Sequence, residues 1–148
     1  MILVKKPINI LVAEDDDDDK LLIIKAFQKT LPKENVICVE DGEALLHYLN
    51  RVAPYDAIDQ FPIPDIILLD LNMPKKDGRA ALAEIKSHDD FKKIPVIIFT
   101  TSNLKDDIEV TYKMGSNSFI TKPGSFEGLV KVAKEIENYW SNTVKLPA

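Results

Sequence analysis

Five side chains suited to metal or phosphoryl chemistry each stand at the carboxyl end of a short apolar run. If those runs are parallel strands, their carboxyl ends share one edge of a sheet and bring the side chains together. Three are carboxylates, which repel unless a cation joins them, and hard oxygen ligands suit Mg²⁺. A hydroxyl and an ammonium group opposite that cation suit a phosphoryl group, and an aspartate between them can attack phosphorus. These residues are Glu14, Asp15, Asp70, Thr100 and Lys122.

The stretch around Asp70 carries the strongest local pattern. Ile66 to Leu69 form an unbroken apolar run, typical of a strand buried on both faces of a parallel sheet. The residues from Asn72 to Gly78 then form a loop that cannot continue the strand. Asp70 alone could equally cap a strand and turn the chain, so its interpretation depends on the other strand ends.

Apolar runs that favour strands alternate with segments that favour helices. This alternation with short links predicts a parallel sheet covered on both faces. We therefore expect an α/β fold, a doubly wound five-stranded parallel sheet in the flavodoxin-like order 2-1-3-4-5 with helices on both faces. No repeat or linker divides the chain, so 1–148 is expected to be one domain with its core at about 8–141. The predicted strands are 8–13, 35–40, 66–69, 94–99 and 118–121.

The helices are predicted from apolar stripes at helical spacing. The acids at 16–19 open the first helix and are assigned mainly to capping and to the helix dipole. A weaker helix over 104–114 is expected to end at Gly115 in a left-handed cap. The tail after Ser141 is expected to be frayed. The predicted stripe of the first helix is Leu21, Ile24, Phe27 and Leu31.

Composition argues against several classes of partner. The 148 residues carry a net charge of −5, which disfavours nucleic acid because phosphate binding requires a basic face. No apolar run approaches the ~20 residues that a membrane span requires. The N-terminus does not resemble a signal peptide, and the single cysteine, Cys38, cannot form an internal disulfide. The chain is therefore expected to be cytoplasmic, with no membrane and no nucleic-acid partner.

Four segments of the chain together resemble the receiver domains of two-component response regulators. Their order and spacing are similar to the family over about residues 8–141. The MP-x-x-DG loop after the strand aspartate, combined with the late Thr and Lys-Pro, is a strong signal. The segments are ILVAEDD at 10–16, ILLDLNMPKKDG at 67–78, PVIIFTTS at 95–102 and SFITKP at 118–123.

The resemblance implies phosphoryl transfer to the strand aspartate. Asp70 would be the phosphoacceptor, and Thr100 and Lys122 would contact the phosphoryl oxygens. Phe119 stands where the family has a switching aromatic residue, and the Lys122–Pro123 bond is usually cis in that family. The phosphoryl donor would be a sensor histidine kinase or a histidine phosphotransfer protein.

The resemblance also implies Mg²⁺ as the cofactor. Glu14, Asp15 and Asp70 would hold the ion with their side chains, and Asn72 with its backbone carbonyl. Glu14 stands in place of the family's more frequent aspartate, which lengthens one of the ligands.

Two further departures concern the longest loop and the output of the domain. The loop over 53–64 is longer than in most receivers, and the stretch resembles stand-alone receivers associated with phytochrome kinases. The chain ends after the last helix, so no output domain is expected to follow. We expect the signal to leave through a surface change over 104–140, read by a partner or by a second copy of the chain in a homodimer.

Two other functions use some of the same residue types. A haloacid dehalogenase-type phosphatase also combines an Asp nucleophile with Thr or Ser, Lys and acidic Mg²⁺ ligands. In that group a second Asp follows the nucleophile by two residues, where this chain has Asn72, and the acidic pair comes late rather than first. A flavin- or nucleotide-binding module is a weaker alternative, because the chain has five glycines and no glycine-rich loop after the first strand. We expect no enzyme activity beyond the chain's own phosphorylation and dephosphorylation.

Overall fold

The computed structural model describes residues 8–29 and 35–147. Its five strands form one parallel sheet in the order β2-β1-β3-β4-β5, which confirms the predicted topology. The strands are β1 (Ile10–Ala13), β2 (Val36–Val39), β3 (Ile66–Leu69), β4 (Val96–Thr100) and β5 (Ser118–Thr121). The helices are α1 (Asp17–Phe27), α2 (Gly42–Leu49), α3 (Gly78–Ser87), α4 (Lys105–Lys113) and α5 (Phe126–Asn138), and a π-helical turn (Tyr139–Thr143) continues α5.

The strand register aligns the ends from which the candidate site residues project. Ala13 at the end of β1 lies opposite Leu69 at the end of β3. Thr100 at the end of β4 lies opposite Thr121 at the end of β5. The residues that follow these strands therefore leave the sheet at one edge, as the sequence predicts.

Alternate strand residues face the two helical layers, because successive side chains of a strand point to opposite faces. Leu11 and Leu69 pack with residues of α2 and α3 on one face. Val12 and Leu68 pack with residues of α1 and α5 on the other. Every residue of β3 and β4 is buried, which explains why these strands have no polar alternation in the sequence.

The inward face of α1 differs from the prediction. Its buried residues are Ile23, Ala26 and Phe27, whereas Leu21 is 51% exposed. Four consecutive apolar residues near the start of the helix offer several possible stripes, and packing against the sheet and α5 selects one of them. Leu31, the last member of the predicted stripe, lies outside the described residues.

The helix ends follow the predicted signals. Asp16 caps α1, where its side chain accepts a hydrogen bond from the Asp19 N–H at 2.9 Å. Gly115 has a φ of 104° just beyond α4, which confirms the left-handed cap. None of the helices in the described ranges is both long enough and apolar enough to cross a bilayer.

The prediction of a frayed tail after Ser141 is correct only in part, because the end of the chain contacts the core although four of the six described residues after Ser141 are exposed. The π-helical turn places Ser141 in a buried position. Trp140 and Leu146 both pack against the apolar layer between the sheet and helices α1 and α5. Burial of these side chains offsets the entropic cost of fixing the tail, and helical periodicity does not report such a contact.

The 53–64 loop folds back over α2. The Tyr48 hydroxyl donates to the Pro62 carbonyl at 2.7 Å. The rings of Tyr48, Tyr55 and Phe61 contact one another, with centroids separated by 5.2, 5.9 and 5.2 Å. These contacts give the loop a small apolar centre of its own.

One proline differs from what the family resemblance implies. The Lys122–Pro123 peptide bond is trans, and the cis bond among the described residues is Ala53–Pro54. Trans is the more stable form of an X–Pro bond in the absence of a structural constraint.

Candidate functional site

Backbone hydrogen bonds between neighbouring strands position the candidate residues. Glu14 directly follows β1. The Asp70 N–H donates to the Ala13 carbonyl at 3.1 Å, and the Lys122 N–H donates to the Thr100 carbonyl at 2.7 Å. The side chains at this edge therefore take their positions from the sheet rather than from the tips of long loops.

Lys122 is the centre of an ion-pair network at the carboxyl edge. Its Nζ donates to Oδ2 of Asp70 at 3.1 Å and to Oδ2 of Asp19 at 3.2 Å, and it forms a hydrogen-bonded ion pair with Oε1 of Glu14. Glu14 is 1% exposed and Asp70 is 7% exposed. Such buried charges are weakly screened by salt, and each depends on its partners to remain ionised.

The network shifts the ionisation of its members. Burial raises the pKa of Glu14 to about 7, the hydrogen bond from Lys122 opposes this shift, and the charge of Asp70 adds to it. Burial acts to lower the pKa of Lys122, but the hydrogen bond to Glu14 and the charge of Asp70 outweigh burial and raise it. Lys122 therefore stays protonated at neutral pH, whereas Glu14 keeps its proton to a higher pH than an ordinary glutamate.

The structure brings together the three carboxylates that the sequence singled out as metal ligands. Glu14, Asp15 and Asp70 each place a ligand oxygen within 4.8 Å of the others. An oxygen-only donor set of this kind fits a hard divalent cation such as Mg²⁺, which usually keeps several waters. Asp15 is exposed, so the cluster is open to solvent on that side.

The three other predicted residues differ in their contacts with this cluster. The Asn72 N–H donates to Oδ1 of Asp70 at 3.3 Å. Thr100 is buried, and its hydroxyl accepts a long hydrogen bond of 3.5 Å from the Ser102 N–H. Phe119 is half-buried and packs against the apolar layer of α2 and α3. Of these three, Asn72 is the residue with a hydrogen bond to the Asp70 carboxylate among the described contacts.

Close backbone contacts fix the loop after β3. The Gly78 N–H donates to the Leu71 carbonyl at 2.9 Å, and a Cβ on Gly78 would lie 2.2 Å from the carbonyl oxygen of Asp70. The Gly42 N–H donates to the Lys76 carbonyl at 3.1 Å, and a Cβ there would lie 2.1 Å from that oxygen. Only glycine allows the loop to lie this close to the starts of α2 and α3.

Asp19 is a site residue that sequence reasoning missed. The sequence assigns it to helix capping with the other acids of the run, yet it contacts the ammonium group of Lys122. It lies in the first turn of α1, whereas Asp15 and the N-cap Asp16 precede the helix. In a run of five aspartates, no signal in the sequence distinguished it from its neighbours.

Comparison with known proteins decides the family. A model of the response regulator receiver domain family matches residues 10–134, which is most of the chain. The chain belongs to this family. It is similar to Response regulator Rcp1 from Synechocystis sp., with 39% identity over 142 residues, which cover 96% of this chain and 95% of that protein.

Solved structures of receivers are similar over nearly the whole chain. The phosphorylated cyanobacterial phytochrome response regulator RcpA matches with a TM-score of 0.88 at 39% identity, over 97% of this chain and 100% of that chain. The Mn²⁺-bound form of Rcp1 matches with a TM-score of 0.84 at 39% identity, over 96% and 100% of the two chains. The expected similarity to phytochrome-associated regulators is confirmed, and the phosphatase alternative gains no support.

Proposed function

We propose that this receiver domain accepts a phosphoryl group on Asp70 from the phosphohistidine of a sensor histidine kinase or a histidine phosphotransfer protein. The observation that carries the proposal is the setting of Asp70, a buried carboxylate at a strand end, hydrogen-bonded to Lys122 and beside two further carboxylates. Family membership supports this class of donor. We place the reaction in the cytoplasm, where ATP sustains such kinases.

In the proposed transfer, a carboxylate oxygen of Asp70 forms the new bond to phosphorus. The P–N bond to the donor histidine breaks, its electron pair returns to the imidazole nitrogen, and Asp70 becomes an acyl phosphate. Lys122 presents a fixed positive charge to the phosphoryl oxygens, and Thr100 supplies a hydroxyl donor to them. The chain then catalyses only its own phosphorylation and dephosphorylation.

Mg²⁺ fits the donor set as the cofactor of this reaction. We assign Glu14, Asp15 and Asp70 as its side-chain ligands and the backbone carbonyl of Asn72 as a further ligand. When bound, the ion supplies positive charge to the phosphoryl oxygens and offsets the repulsion among the carboxylates. The acidic cluster of this structure and the Mn²⁺-bound form of Rcp1 support the assignment.

Acetyl phosphate with Mg²⁺ is expected to add one phosphoryl group to the wild-type chain and none to Asp70→Asn. The amide lacks the nucleophilic carboxylate but has nearly the same size, so the fold is expected to persist. Intact-mass analysis at acid pH, with and without a chelator, measures the adduct and its dependence on Mg²⁺.

Asp77→Asn is the matched control for this experiment. Asp77 lies in the same loop and caps α3 by accepting a hydrogen bond from the Ala80 N–H at 2.9 Å, a role that asparagine also performs. The control should be phosphorylated like the wild type. Undiminished labelling of Asp70→Asn would refute the assignment, and repeated turnover of p-nitrophenyl phosphate would favour the phosphatase alternative.

We propose that the output leaves through Thr100 and Phe119. Phosphorylation would draw Thr100 toward the phosphoryl group and let Phe119 turn further inward. Phenylalanine has no hydroxyl, so this state gains only burial, worth roughly 1.5–3 kcal/mol at full transfer. The affected surface is 104–140, whose α4 face exposes several large apolar side chains suited to a partner or a second copy of the chain. These are Leu104, Val110 and Tyr112.

Thr100→Ala is expected to accept phosphate on Asp70 but to lose most of the phosphorylation-dependent change in association. The hydroxyl that couples the site to the surface is absent, while the nucleophile and the carboxylates remain. Sedimentation with and without beryllofluoride, a mimic of the phosphoryl group, measures the response. Thr101→Ala, at the exposed neighbouring position, is the control and should respond like the wild type. An undiminished response in Thr100→Ala would show that the signal takes another route.

A further inference from the structure

The structure contains a cavity of about 1150 Å³. It is lined in part by two segments that have no role in the proposed phosphoryl transfer. Residues of the 53–64 loop form one wall, and residues of the chain end over 140–147 form another. The cavity lies at the amino ends of β1, β3 and β4, because Ile8, Pro64 and Ile94 line it shortly before those strands begin. It is therefore at the opposite edge of the sheet from the phosphoacceptor.

The lining of this cavity is mainly apolar and includes three aromatic rings. The rings are those of Tyr48, Phe91 and Trp140. Leu146 contributes an aliphatic side chain from the tail. On the rim, Ile58 and Ile63 are exposed, and Ile63 exposes 62% of its surface to solvent. A concave apolar site of this size accommodates a drug-sized molecule.

Three polar side chains in the wall of the cavity already have partners. Tyr48 donates its hydroxyl to a backbone carbonyl of the loop, and the guanidinium of Arg51 donates to two others. Asp65 accepts the Asn9 N–H at 2.7 Å. Other charged residues that line the cavity are exposed to solvent and carry charges of both signs; they are Asp90, Lys93 and Lys145. A charged ligand would have to compete with the hydrogen bonds of the first three side chains and would meet charges of both signs, so the site suits an uncharged molecule.

The hydroxyl of Ser141 differs from these three polar groups. Ser141 lines the cavity, is 6% exposed, and its hydroxyl has no hydrogen-bond partner within the part of the chain that the structure describes. It belongs to the π-helical turn that continues α5, and such turns are frequent at functional sites. A buried hydroxyl without a partner costs free energy, which a ligand with an acceptor would recover.

We propose that this cavity binds an uncharged, largely apolar small molecule that carries an aromatic ring and a hydrogen-bond acceptor. The ring packs with Trp140 and Phe91, the rim isoleucines cover its edge, and the acceptor takes a hydrogen bond from the Ser141 hydroxyl. The elements that form this site are remote from Asp70. A failure of this proposal would therefore not contradict the proposed phosphoryl transfer, and the reverse also holds.

Dansylamide is a suitable probe, because it is uncharged at neutral pH, contains a naphthalene ring and has sulfonyl oxygens as acceptors. Trp140 is the single tryptophan of the chain, so excitation of tryptophan with detection of dansyl emission reports binding near the tail. We expect saturable binding with one site per chain for the wild type. A signal that does not saturate up to the solubility of the probe would overturn the proposal.

Three variants locate the site. Ile63→Arg should weaken binding at least tenfold, whereas Leu21→Arg, at an exposed leucine on α1 outside the cavity, should bind like the wild type. Ser141→Ala should weaken binding about threefold to tenfold, the effect of one neutral hydrogen bond, without lowering the melting temperature. Equal losses in Ile63→Arg and Leu21→Arg, or unchanged binding in Ser141→Ala, would contradict the assignment.

Discussion

Replacing Lys122 by methionine is expected to lower the free energy of unfolding by about 3–5 kcal/mol at pH 8, the typical cost of removing one partner from a buried ion pair. Lys122 is the shared partner of Glu14, Asp19 and Asp70. Methionine preserves the apolar stem but removes the charge, so the carboxylates are left together without a cation. Urea unfolding followed by circular dichroism measures the difference.

The loss of unfolding free energy in Lys122→Met, relative to the wild type, should be smaller at pH 6 than at pH 8. The pKa of Glu14 is about 7 in the folded chain against an ordinary value of 4.5, so the folded state binds this proton more tightly. The resulting stabilisation is complete below about pH 4.5 and is lost as the pH rises through 7. Without Lys122 the ionised form of Glu14 has no partner. The variant therefore continues to lose stability above pH 7, where the wild type does not.

Lys20→Met is the matched control for Lys122→Met. Lys20 pairs with Asp17 at 3.0 Å and with Glu40 at 3.6 Å, but both carboxylates are solvent-exposed. Exposed pairs contribute about 0–1 kcal/mol, so this variant should unfold nearly like the wild type.

Millimolar Mg²⁺ should restore stability to Lys122→Met by binding the folded cluster. It should change the stability of Lys20→Met no more than that of the wild type. Equal stabilities of the two variants at pH 8 would refute the central role of Lys122.

Gly78→Ala is expected to destabilise the fold by about 1–3 kcal/mol or more and to reduce phosphorylation of Asp70. The added Cβ would lie 2.2 Å from the Asp70 carbonyl oxygen and 2.7 Å from the Leu71 Cα. These are backbone atoms, so relief requires the loop after β3 to move and with it the phosphoacceptor. Urea unfolding and acetyl phosphate labelling measure the two effects.

Gly124→Ala separates this steric effect from the general effect of replacing glycine. A Cβ on Gly124 would meet no atom within 4 Å, so the stability should change by about 0.5 kcal/mol or less. Both variants reduce the freedom of the unfolded chain in the same way, which by itself favours the folded state slightly. A Gly78→Ala protein as stable as Gly124→Ala would show that the loop adapts without cost.

The sheet and the carboxylate cluster could be predicted because both follow from local pattern and one topological rule. The apolar runs before Glu14 and Asp70 predict buried strands. Parallel strands have their carboxyl ends at one edge of the sheet, so the residues that follow the two runs are expected to lie close together. The late Lys122 joined the cluster for the same reason. Functional residues at strand ends can therefore be predicted from sequence, even where the acids Glu14 and Asp70 are more than fifty residues apart along the chain.

The parts that could not be predicted depend on contacts between distant segments. The inward face of α1 was ambiguous, since Leu21 and Ile23 belong to different stripes and packing decides which is buried. The tail contains Leu146, whose burial depends on the apolar layer already formed by other elements. Asp19 was indistinguishable by type from the other aspartates of its run.

The order of the ion-pair partners along the chain has a consequence for biosynthesis. The acids Glu14, Asp19 and Asp70 all lie in the first half of the polypeptide, and Lys122 follows Asp70 by 52 residues. During translation, the nascent chain therefore carries the mutually repelling acids well before their ammonium partner leaves the ribosome. Contacts between segments this far apart form late because the intervening loop must close first. Addition of β5 to the sheet edge is thus the step that brings these acids their shared ammonium partner.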